Sequence, residues 1–78
     1  VKRYIEVQCY TGILDEETVL IAAFFYIMEP GKFGPEYLGV NTMAWIVPNP
    51  TLGDLEELVK QIADHNIELG ERLARGII

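Results

Sequence analysis

Between Glu17 and Glu29 lie eleven residues, TVLIAAFFYIM, in which only Thr18 and the Tyr26 hydroxyl are polar. A strand with one wet face alternates apolar and polar side chains, because successive residues point to opposite sides. This run does not alternate, so both of its sides must leave water. Its Val, Ile, Thr and Phe content favours a strand over a helix. It is also too short to cross a bilayer as a helix, which takes about 20 residues. The chain has 78 residues, enough for one domain, and a domain of that size buries only ~60–65% of the surface its unfolded form exposes. With 50% of its residues apolar, it carries more apolar surface than one such core uses. Something outside the chain is expected to cover the second side of the run.

The flanking segments supply partners for the first side. In 2–10, Ile5, Val7 and Cys9 alternate with Tyr4, Glu6, Gln8 and Tyr10, the period of a strand. Residues 11–17 make a hairpin loop around Gly12 and Asp15. The breaker EPGKFGP (29–35) suggests a type II turn with Pro30 and Gly31 at its centre. A third strand, 37–47, ends at Pro48 and Pro50, neither of which can donate to a ladder. A helix then starts within 49–51. One possible start is Asn49 with Pro50 at the first helical position; the other is Thr51 with Asp54 in a capping box. Asp54, Glu56 and Glu57 near the start, and Arg72 and Arg75 near the end, complement the helix dipole. Sequential strands with short connections form a meander. The expected fold is therefore α+β: a three-stranded antiparallel β-meander, with 18–28 in the centre, backed by one long C-terminal helix in a single domain.

Sorting the strands by parity separates two sets. Val19, Ile21, Ala23, Phe25 and Ile27, with Ile5, Val7 and Cys9, are mostly aliphatic and suit the surface beneath a helix. Leu38, Val40, Thr42, Ala44 and Ile46 are assigned to the same side. The opposite set holds Tyr4, Tyr10, Phe24, Tyr26, Tyr37, Met43 and Trp45, with Leu20, Met28, Gln8 and Asn41. Aromatics and methionine carrying polar handles are enriched in interface cores. This second set is the expected binding surface, with Trp45 as its largest anchor. A bulge in one strand would exchange the faces of the residues beyond it.

Along the helix, Leu52, Leu55, Val59, Ile62, Asn66, Leu69, Leu73 and Gly76 follow alternating steps of three and four, the spacing of a heptad seam. Val59, Ile62, Asn66, Leu69 and Leu73 form a candidate oligomer seam, with Asn66 as its polar register residue. Leu58 and Ala63 widen the stripe, and a wide stripe equally suits plain packing on a sheet.

Composition narrows the function. The net charge of −6, from 12 acids and 6 bases, disfavours nucleic acid, whose phosphates are bound by displacing counterions with Lys and Arg, and disfavours an anionic membrane surface. The lone Cys9 cannot form an intrachain disulfide, and no basic-then-apolar leader is legible; a cytoplasmic location is expected. Cys9 and His65 could make a nucleophile–base pair, but Cys9 is expected to be a buried small hydrophobe. One His and one Cys are too few for a zinc site. Asp15, Glu16 and Glu17 lack the spacing of a calcium loop. PGKFGP lacks the ending of a phosphate loop. No cofactor or metal is expected.

The order βββα with a helix opening in TLGDLEEL is distantly similar to the half RNase-H-like fold of HicB-type antitoxins. That resemblance implies a small dimeric protein that binds a toxin. It covers the element order and the helix start only. The Pro-Gly-Cys segment typical of the family is missing, and no residue role carries over. The expected function is a small, non-enzymatic, homo-oligomeric binding or regulatory protein, dimer-based, that holds a protein partner through its aromatic sheet face. The alternative is an oligomer that sequesters a nucleotide-like or other flat ligand between subunits, with Asn41 or Gln8 supplying hydrogen bonds.

Overall fold

The computed structural model describes residues 2–78. Strands β1 (Tyr4–Ile13), β2 (Thr18–Gly31) and β3 (Gly34–Pro48) form an antiparallel sheet in the order β1-β2-β3, and the helix α1 (Leu52–Ala74) follows. This is the expected βββα meander with the doubly apolar strand in its centre.

Both hairpins are tighter than their sequences suggest. β1 continues through Ile13, which pairs with Val19, so the first loop is residues 14–17 alone. The Leu14 amide donates to the Thr18 carbonyl at 2.9 Å, and the Glu17 amide donates to Asp15 Oδ1 at 2.9 Å. In the second hairpin Pro30 and Gly31 belong to the strand, paired with Pro35 and Gly34. The turn is therefore Lys32-Phe33, not Pro30-Gly31. Gly34 has φ 129°, a conformation that only glycine adopts without strain. Opposed prolines at the end of a ladder leave no backbone donor unpaired.

The helix begins at the Thr51 capping box. Asp54 N–H donates to Thr51 Oγ1 at 3.1 Å, and Thr51 N–H donates to Asp54 Oδ2 at 3.0 Å. Asn49 lies outside the helix at φ 48°, with its amide donating to the Glu17 carbonyl. At the other end, Gly76 at φ 74° lets its amide reach the Leu73 carbonyl and the Ile77 amide reach the Arg72 carbonyl. This pair of bonds is a Schellman motif, and it returns Ile78 to the core.

That core lies between one face of the sheet and α1. Ala23, Phe25 and Leu69 are fully buried at its centre, with Ile5, Val7, Met43, Trp45, Ile62 and Ile78 packed around them. Cys9 has the parity of this face but is exposed, contrary to the expected burial. It lies on an edge strand opposite Ala23, and parity alone does not say how far the helix reaches across.

Candidate functional site: the uncovered sheet face

The register between β2 and β3 changes once. Met28 is opposite Tyr37, whereas Ile27 is opposite Gly39. Leu38 is therefore an extra residue, a β-bulge. Beyond a bulge every side chain changes sides. Asn41 is opposite Phe25, Met43 opposite Ala23 and Trp45 opposite Ile21. These three residues lie on the helix side and not on the aromatic face where parity counting puts them. Trp45 packs against the core, and its Nε1–H donates to Gln61 Oε1 of α1 at 3.2 Å. Conversely Val40, Thr42, Ala44 and Ile46, expected beneath the helix, register with Tyr26, Phe24, Ala22 and Leu20 on the opposite side.

The other aromatic candidates stay together. Tyr4, Tyr10, Phe24, Tyr26 and Tyr37 share the face that α1 does not cover. Four of them form a connected series across all three strands. Tyr10 meets Phe24 edge-on at 5.4 Å, Phe24 stacks with Tyr26 at 6.3 Å, and Tyr26 meets Tyr37 edge-on at 5.9 Å. Such contacts contribute ~0.5–1.5 kcal/mol each beyond area burial, so the series is held in place before any partner arrives. The Tyr10 hydroxyl donates to Gln8 Oε1 at 2.6 Å. Yet Tyr10 is 53% exposed, Tyr37 58% and Ile46 66%. Glu6, opposite Tyr26, is the only charged residue registered on this face among the described residues.

The candidate helix seam divides. Ile62 and Leu69 pack on the core and Leu73 is half-buried. Val59 is 65% exposed, and Asn66 lies on a groove wall with Arg3, Tyr4 and Gly70. Leu58, which is buried, and His65, whose ring meets Phe25 edge-on at 4.7 Å, complete the sheet-facing side. His65 Nε2 is buried without a hydrogen-bond partner among the described residues, so it is not joined to Cys9 there. A second groove, near the helix start, is lined by Ile13, Val19, Ile21, Pro50, Leu52 and Leu55.

Among the described residues Asp15 is the one group with a displaced acidity. The Glu17 amide, and after it the Thr18 hydroxyl, hold its carboxyl below the ordinary value of 3.8. Those bonds serve the loop. Among the described residues no three His, Cys, Asp or Glu side chains gather as metal ligands, and no helix is long and apolar enough to cross a membrane. No family model, curated protein or solved structure matches the chain, so the likeness to HicB-type antitoxins stays one of element order.

Proposed function

We propose that this chain is a small, non-catalytic binding protein that acts by holding a protein through its uncovered sheet face. The observation that carries the reading is that face: a connected aromatic series flanked by aliphatic side chains, with a single carboxylate, left open to water. Contiguous apolar surfaces of this kind mark interaction sites in soluble proteins. A flat small ligand fits less well. Asn41, one of its two intended hydrogen-bonding groups, is on the helix side, and Gln8 Oε1 is engaged by Tyr10.

Co-purification from the native cell extract tests the reading. The wild type should enrich one protein. Phe24→Glu should lose it, because a carboxylate would be desolvated at the centre of the contact. Val59→Glu, on the exposed side of α1, should retain it. Enrichment that survives Phe24→Glu would remove the reading. A large stabilisation by nucleotides that Tyr26→Ala abolishes would replace it with ligand binding, since a ligand stabilises only by binding the native state.

A further inference from the structure

We infer that the uncovered sheet face closes first on a second copy of this chain, giving a two-fold dimer with the sheets face to face and the helices outside. The inference rests on the association reading of that face and names its first occupant.

Area supports a partner of this size. A monomer of 8.8 kDa is expected to expose ~4,800 Å² from the scaling of surface with mass, whereas this chain exposes 5597 Å². The excess is about 800 Å², which is what one partner contributes to a standard stable interface. An elongated shape, 46 × 24 × 15 Å, produces that excess, and pairing across the broad face removes it.

Charge supports like pairing with like. The chain carries −6, yet only Glu6 among the described residues is registered on the face. A foreign partner recruited by charge would need a charged patch to read. This face has none, and a second copy brings an equally neutral one.

Shape supplies the orientation. The end of the face near Met28 is bulky, with Tyr4, Tyr26 and Tyr37, whereas the other end is slighter at Ala22, Ala44 and Gly12, which leave hollows beside Tyr10, Leu20 and Ile46. A two-fold axis lying between the sheets and across the strands sets the bulky end of one copy on the slighter end of the other. Contacts are then reciprocal, as a two-fold interface requires, and the side chains interdigitate across the ~10 Å that separates packed sheets. Phe24, in the middle of the central strand, sits close to the axis.

Sedimentation equilibrium over about 1–100 μM, the range in which small dimers of moderate affinity dissociate, tests the inference. The wild type should reach twice 8.8 kDa. Phe24→Glu should keep its far-UV circular dichroism and raise Kd by ~100-fold or more. Val59→Glu should match the wild type. Hydroxyl-radical footprinting of the unaltered protein gives a readout that needs no variant: Tyr10 and Tyr37 should become protected as concentration rises, and Phe33, 97% exposed at its turn, should not. A wild type of 8.8 kDa throughout overturns the second copy and leaves the proposed partner face to the co-purification result. A dimer that leaves Tyr10 and Tyr37 labelled as fast as the monomer overturns both.

Discussion

Trp45 and Phe33 differ in how they are held, and their truncations should differ accordingly. Trp45 packs on the core and donates to Gln61 at 3.2 Å. Trp45→Ala should therefore cost about 3 kcal/mol of folding stability, the scale of a large-to-small core change, read as a lowered urea midpoint. The fraction that stays folded should assemble like the parent, because Trp45 is not on the association face. Phe33→Ala should stay within about 0.5 kcal/mol, as surface changes do; its ring is almost wholly exposed, with Lys32 Nζ 5.6 Å from the ring centroid. Asp15 provides a pH signature at the same scale. Its folded-state pKa is depressed below 3.8 by the Glu17 amide and the Thr18 hydroxyl. A depressed carboxyl contributes stability that is complete above the unfolded value and is lost as pH falls through the folded one. In an NMR titration the Asp15 carboxyl should have a midpoint below 3.8, and the Glu17 amide should shift with it. Asp15→Asn should abolish that amide titration. A wild-type midpoint at or above the ordinary value would mean that the loop bonds are absent in solution.

At the scale of elements, the bulge at Leu38 decides which surface each half of β3 serves. Met28 and Tyr37 face one way, and Ile27 with Gly39 the other, because Leu38 is absorbed between them. Deleting Leu38 should leave a regular ladder from Gly31–Gly34 to Thr18–Pro48, with Trp45 still beneath α1. Its fluorescence maximum should be unchanged and the protein folded. Inserting one alanine between Thr42 and Met43 should instead turn Met43 and Trp45 out of the core and unfold the domain. A deletion variant with Trp45 exposed to quencher would show that Leu38 is not the extra residue in the ladder. The same bulge explains what could be read from residues alone. Element order, the central strand and the Thr51 capping box were legible, because alternation, proline stops and the Thr51–Asp54 spacing are local signals. Tyr4, Tyr10, Phe24 and Tyr26 could be grouped because the ladder between β1 and β2 has no register shift, and Tyr37 because it precedes Leu38 in β3. Asn41, Met43 and Trp45 could not, since a single extra residue leaves no mark on composition and changes the side of all three. Cys9 is exposed for another reason: parity assigns a face, and only the packing of α1 says how much of that face is covered.

For the whole molecule, salt distinguishes self-association from capture of a basic partner. Each copy carries −6, and the acids of α1 (Asp54, Glu56, Glu57, Asp64, Glu68 and Glu71) lie at exposed positions. In a face-to-face dimer those charges sit on opposite outer surfaces, separated by two sheets and two helix layers, on the order of 30 Å. The screening length is ~30 Å at 0.01 M salt and ~8 Å at 0.15 M, so their repulsion acts at low ionic strength and vanishes at physiological strength. The dimer should therefore tighten several-fold as salt rises through that range, and its thermal midpoint should rise with protein concentration, because association stabilises the native state by mass action. Attraction to a basic protein would weaken over the same interval. Sedimentation velocity at the two ionic strengths measures the sign directly. Dissociation on adding salt would mean that charge, rather than the neutral aromatic face, holds the copies together.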